Sequence, residues 1–210
     1  MGIAERKVRE KQQRREEIIH AAERVFFTRG FEKSTMDDVA DKAELSKGTL
    51  YLYFKSKEDL HMAVARKAIL LLNKITDGVK ELGGNAFEKL IHMGRACIAF
   101  SESHPDHMKA IMTLEGFDFK EVSISMKEMQ AMIFNESPVG IVVQIVEQGV
   151  KEKLIRSDIA APLIAHTLWM QMLSVIRFVS MKKNLLEMLN LSPAKVYESH
   201  FELVLNGIRS

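Results

Sequence analysis

STMDDVADKAELSKGTLYLYF, residues 34–54, holds two short helical patterns separated by one tight turn. Ser34 or Thr35 supplies a capping hydroxyl, Asp37 and Asp38 sit at a dipole-positive helix end, and Met36, Val39, Ala40 and Ala43 repeat at helical spacing. After Glu44 and Leu45, Ser46 caps a second helix through Lys47, Gly48, Thr49, Leu50, Tyr51 and Tyr53. Leu50 and Phe54 are four residues apart and turn inward together, leaving Lys47, Gly48, Thr49 and Tyr51 outside. A short helix, a turn and a second short helix form a helix-turn-helix unit, whose second member fits a DNA major groove.

Working outward, Ile18, Ala21 or Ala22, Val25 and Phe26 mark a preceding helix from Arg14 to Arg29, ended by Gly30. Ser56, three residues before Asp59, starts a fourth helix whose face runs through Leu60, Val64, Leu71, Ile75 and Val79. The exposed residues of the second short helix suit nucleic acid. Gly48 holds no side chain between backbone and DNA, and Thr49 offers a methyl and a hydroxyl small enough for base edges. The hydroxyls of Tyr51 and Tyr53 and the amines of Lys47, Lys55 and Lys57 reach phosphates. Each has a plainer role: Gly48 as a tolerated helix glycine, Thr49 as a capping aid, Tyr53 as core, and Lys55 and Lys57 as a solvated linker. Their agreement on one small fold favours the binding role.

The formal net charge is only +2, so the distribution of charge matters more than its sum. Residues 1–15 hold six basic and two acidic side chains, and residues 42–57 hold four basic ones against Glu44. The leader VREKQQRREE either extends the first helix, sweeps along a duplex as an arm, or serves only as a solvated end. It lacks the apolar run of a secretory signal, no eighteen consecutive apolar residues occur, and the single Cys97 suits a reducing compartment. A cytoplasmic location is the expectation, with no membrane partner.

The fold class is all-α. Residues 1–56 form the DNA-binding domain with its basic extension, and residues 57–210 form a larger helical domain for effector binding and dimerisation. In the latter, Gly83 and Gly84 end the fourth helix, a helix follows through Phe87, Leu90, Ile91, Gly94 and Ile98, and one or two helices lie between Met108 and Phe134. Ser137 and Pro138 start a central apolar helix, Ser157 or Asp158 the next, and Ser192 with Pro193 the last, which carries Tyr197, Phe201, Val204, Leu205 and Ile208. The two long closing helices can pair with a symmetry mate in a four-helix interface. Candidate liners of an apolar pocket are Met93, Phe100, Met112, Phe117, Met129, Phe134, Val143, Trp169 and Met172, although methionine and phenylalanine at helical spacing also make ordinary core. Trp169 leads them, because its broad face and ring N–H can hold and orient an oily ligand.

The run from Ile18 to Leu60 resembles the N-terminal domain of the TetR family of transcriptional regulators. Ala22, Phe26, Gly30, Thr35, Val39, Ala40, Ala43, Ser46, Gly48, Thr49, Leu50, Tyr51, Phe54, Lys57 and Leu60 carry the resemblance. It implies an all-helical homodimer that represses transcription from a palindromic site in double-stranded DNA until a small molecule, here hydrophobic, releases it. By the same resemblance, Lys47, Thr49 and Tyr51 contact bases or nearby phosphates, while Tyr53 and Lys57 touch the DNA backbone. No cofactor is implied. The family usually has glycine where this chain has Glu44, and often where it has Lys153.

Two other classes compete. An enzyme would need a site, yet Cys97 and His92 point about 140° apart on one helix. His104, His107, Glu102 and Asp106 fall short of a full zinc ligand set, and no glycine-rich phosphate loop is present. An interaction module would use the three-helix unit to bind protein, and Glu44 on the recognition side keeps that reading open.

Overall fold

The computed structural model of the protein describes residues 2–116 and 122–210. Eleven α-helices occur among them: α1 Ile3–Arg29, α2 Met36–Lys42, α3 Lys47–Tyr53, α4 Lys57–Thr76, α5 Ala86–Ser103, α6 Pro105–Thr113, α7 Met126–Phe134, α8 Pro138–Lys151, α9 Ala161–Met181, α10 Lys183–Met188 and α11 Pro193–Ile208. No sheet forms among the described residues; the pairing of Ile155 with Arg209 is an isolated bridge. The chain divides into two compact units: Met1–Ala68 with Lys109–Glu128, and Ile69–Met108 with Met129–Ser210. The expected boundary after Ser56 thus falls inside the first unit, and α4 and α6 each contribute residues to both.

The first unit is built on its caps. Thr35 Oγ1 accepts from Asp38 N at 3.1 Å while Asp38 Oδ2 accepts from Thr35 N at 2.9 Å, a reciprocal box that fixes the start of α2. Asp38 also pairs with Arg29 of α1, and these hydrogen bonds, those from Thr35 foremost, hold its carboxyl below the usual range. Ser46 Oγ accepts from Thr49 N at 3.1 Å and Ser56 Oγ from Asp59 N at 3.0 Å, starting α3 and α4. Ile18, Ala22, Phe26, Val39, Leu50, Phe54, Leu60 and Val64 meet as a buried core. Truncating one of these large side chains, such as Leu50→Ala, removes about 2–5 kcal/mol. The basic leader resolves into helix, since α1 runs unbroken for 27 residues.

In the second unit α8 packs against α5 and α9, and α9 packs against α11. Asn85 and Glu88 form a capping box on α5, while Ser137 and Ser192 cap α8 and α11 just before a proline in the first turn. The start expected for α9 at Ser157 or Asp158 moves to Ala161. Arg156 donates to both carboxylate oxygens of Asp158 at 2.7 and 2.6 Å, so the expected capping acid is already engaged. By length and apolarity α9 could cross a membrane, but Ile164, Ala165, Met172, Leu173, Ile176 and Val179 are spent on the core. Lys89, also buried, donates to Lys80 O at 2.9 Å and Gln148 Oε1 at 3.0 Å.

Candidate nucleic-acid interface and apolar cavity

The turn between α2 and α3 is closed by backbone alone. Glu44 N donates to Asp41 O at 3.2 Å and Leu45 N to Ala40 O at 2.9 Å, a Schellman motif with Glu44 in the left-handed region at φ 56°. Glycine adopts that conformation freely, whereas a side chain opposes it. Lys153 after α8 (φ 58°) and Asn190 after α10 (φ 52°) end their helices the same way. The chain therefore keeps the turn without the residue that makes it easy.

With α3 so placed, Leu50 is fully buried, Lys47, Gly48 and Tyr51 are exposed, and Thr49 and Tyr53 are half-buried. A Cβ added at Gly48 would lie 3.9 Å from Ser46 Oγ, an ordinary contact, so packing does not demand glycine there. The lysines are already engaged. Lys47 Nζ pairs with Asp37 of α2 at 2.8 Å, which raises its pKa through the hydrogen bond first and the charge second. Lys55 Nζ donates to Tyr51 O at 3.2 Å, and Lys57 Nζ donates to Phe31 O at 3.1 Å from above the Phe31 ring. Lys47 and Lys55 are exposed and can exchange these partners for phosphate, while Lys57 is half-buried and holds the loop between α1 and α2.

Two residues escaped the sequence reading. Arg15 of α1 lies with its guanidinium 4.9 Å from the centre of the Phe54 ring at the end of α3, a contact that helical periodicity within α1 does not reveal. His61 of α4 is buried against Phe31 and Phe26 and donates through Nε2 to Ala110 O at 3.2 Å. Burial lowers its pKa to about 4, so it is neutral near pH 7.

In the second unit Met93, Trp169 and Met172 converge on one cavity of about 60 Å³, with Leu90, Gly94, Cys97, Val142 and Phe201 among its other walls. Phe100 is buried and stacks on His104, Phe134 is exposed beside His166, and Val143 is half-buried one residue from the lining Val142. Met129 is half-buried on α7, Met112 belongs to the first unit, and Phe117 lies outside the described residues. Of these, Phe100, Met112, Met129, Phe134 and Val143 do not line that cavity. Burial pushes the Cys97 thiol up to about 12, which removes it as a nucleophile near neutral pH. Between α9 and α11 lies a second, apolar groove of about 480 Å³, edged by Leu163, Ile164, Leu168, Leu203 and Val204.

The arrangement of α2, the turn and α3 has counterparts in known proteins. The model of the bacterial regulatory proteins of the tetR family matches residues 18–64. Residues 18–64 are a TetR-family DNA-binding domain. The HTH-type transcriptional repressor KstR2 of Mycolicibacterium smegmatis is 28% identical over 162 residues, 72% of each chain. The fatty acid metabolism regulator protein of Bacillus subtilis is 33% identical over 98 residues, 46% of this chain and 49% of the relative. The solved structure of the ketosteroid transcriptional regulator KstR2 of Mycobacterium tuberculosis superposes with a TM-score of 0.58 at 22% identity, covering 94% of this chain and 95% of that one. With this TetR-type domain, and with transcriptional regulators as its relatives, the chain is a helix-turn-helix transcriptional regulator and not an enzyme.

Proposed function

We propose that this chain is a repressor that binds a palindromic operator as a homodimer and releases it when a hydrophobic small molecule enters the second unit. The observation that carries the proposal is the outward display of Lys47, Gly48, Thr49 and Tyr51 on a helix whose opposite residue, Leu50, is fully buried. In this reading Lys47, Thr49 and Tyr51 meet bases or adjacent phosphates, Gly48 admits close approach, and Tyr53 and Lys55 contact the DNA backbone. Lys57 adds a phosphate contact while bracing the loop at Phe31. Residues 1–56 read DNA, and residues 57–210 sense the effector and dimerise.

One α3 reads only a few base pairs, so a two-fold partner is needed to read a palindrome with half-sites about 34 Å, or a multiple of that, apart. The exposed Leu163 and Leu203 and the groove between α9 and α11 offer a self-complementary apolar face to a second copy, which also accounts for the apolarity of α9 without a membrane. The effector cavity is the one walled by Met93, Trp169 and Met172. At about 60 Å³ it is far below the roughly 300 Å³ of small ligand sites, so binding must open it, and flexible methionines permit that. The ketosteroid and fatty-acid names of the relatives accord with an oily effector. Movement of α5 and α8 then reaches α4 through the turn Asp77–Glu81, which directly follows α4 and packs on both. A cytoplasmic site of action follows from this role.

Selection from a random duplex library at two salt concentrations tests the proposal. A single enriched palindrome that persists at the higher salt, and whose binding is lost on adding steroid or acyl compounds, is the expected result. Salt-labile binding with no motif rejects operator recognition and returns the three-helix unit to a protein-binding role.

A further inference from the structure

The first four turns of α1 have no part in the unit's core, but they continue its geometry. At about 100° per residue, Ile18, Ala21, Ala22, Val25 and Phe26 mark the side of α1 that faces the buried core. Projected backward along the same helix, that side carries Lys7, Lys11, Arg14 and Arg15 within a sector of about 100°. The sector contains no carboxylate. Glu5 and Glu16 lie on the opposite face, while Glu10 and Glu17 flank the stripe and pair with Arg6 at 3.4 Å and Arg14 at 2.7 Å. Hydrogen bonds from Gln12 to Glu16 at 2.9 Å and from Gln13 to Glu17 at 3.2 Å reinforce this stretch at the favourable i,i+4 spacing.

Arg15 fixes where the stripe leads. Its guanidinium lies on Phe54, the residue that ends α3, so the four cations begin at the edge of the recognition helix and run away from it along α1. From Lys7 to Arg15 they span about 12 Å, enough for several phosphates when a strand carries one per about 3.4 Å of axis. We propose that Lys7, Lys11, Arg14 and Arg15 form a second duplex-DNA contact, gripping backbone phosphates beside the groove that α3 enters. It rests on the assignment of α3 to DNA. Phosphate contacts carry no sequence information, so the stripe raises affinity for every duplex and leaves operator preference to α3. The Arg14–Glu17 pair is exposed and weak, and exchanges readily for phosphate. A membrane surface is the poorer match, since Ala4 and Val8 are the apolar residues of this stretch from 4 to 15 and an interfacial helix needs a broad oily face.

The test is a triple variant, Lys7→Gln, Lys11→Gln and Arg14→Gln, with Arg15 kept because it packs on Phe54. Glutamine preserves helix propensity, and circular dichroism checks that helix content is unchanged. Affinity is measured across a salt series on the selected operator and on a random duplex of equal length. The expected result is a loss of about tenfold or more on both, with the slope of log affinity against log salt shallower by about 5, or about 0.9 for each of six contacts in a dimer. Lysine-to-arginine changes at positions 7 and 11 should leave the slope as in the parent chain. A Thr49→Ala, Tyr51→Ala variant measured alongside separates the two assignments, since it loses operator preference and keeps most of the slope. If the parent chain shows no operator preference, the α3 assignment fails, and a shallower slope in the triple variant on random duplex still supports the stripe. An unchanged slope in the triple variant overturns it, as does loss of binding to vesicles containing anionic lipid with DNA binding intact.

Discussion

A methyl group at Gly48 would meet nothing closer than Ser46 Oγ at 3.9 Å, so an alanine there costs the fold nothing. Glycine within a helix is less favourable than alanine by about 1 kcal/mol. Gly48→Ala should therefore stabilise the protein by about 0.5–1 kcal/mol in denaturant unfolding and weaken operator binding by tenfold or more. Gain of stability with unchanged affinity would remove Gly48 from the interface. Glu44 presents the reverse case. Its left-handed backbone costs about 1 kcal/mol or more for a residue with a side chain, only partly offset by the freedom that glycine adds to the unfolded chain. Glu44→Gly should raise stability by about 0.5–1 kcal/mol and, by removing a negative charge from the recognition side, strengthen binding to all duplexes. Equal affinity of the two proteins at low salt would place Glu44 away from the phosphates.

Among the elements, α4 carries the most telling polar burial. His61 is held neutral between Phe31, Phe26 and the carbonyl of Ala110. Its pKa falls from the usual 6.5 to about 4, so the unfolded chain binds a proton more readily than the folded one between those values. Stability is then full above about pH 6.5 and declines as the pH drops toward 4, by up to on the order of 3 kcal/mol. His61→Gln keeps an N–H donor and removes the titration. Urea unfolding at a series of pH values should show the decline in the parent chain and a flatter profile in the variant; parallel profiles would assign the acid sensitivity to other groups. The proposed hydrogen-bond role also predicts a loss on His61→Ala even at pH 7, because Ala110 O is left without its donor.

For the whole molecule, the proposed dimer and operator reading stand or fall together. Leu163→Arg with Leu203→Arg places charges on the exposed apolar face of α9 and α11. The double variant should sediment as a monomer and lose operator affinity by at least a hundredfold, because a half-site gives one α3 too few base pairs. A variant that remains dimeric would move the interface elsewhere. Substituting Trp169→Ala should weaken the response to hydrophobic compounds while operator affinity in their absence stays within a few fold. A uniform loss of both would mark Trp169 as core rather than as a wall of the effector cavity.

The sequence by itself determined the elements whose signals are local. Thr35, Ser46, Ser56, Ser137 and Ser192 stand within a few residues of the amides they cap, and the spacing of Val39, Leu50 and Phe54 states their inward side without reference to distant chain. Tertiary structure decided what depends on residues far apart in the chain. Met93, Trp169 and Met172 share a cavity wall while Phe100 and Phe134 do not, because helix packing rather than composition selects which faces converge. Periodicity likewise left the leader free to be arm or helix. Its basic stripe acquires a direction only when α1 packs on the core and Arg15 comes to rest on Phe54, since a charged helix face has no orientation until something fixes its rotation.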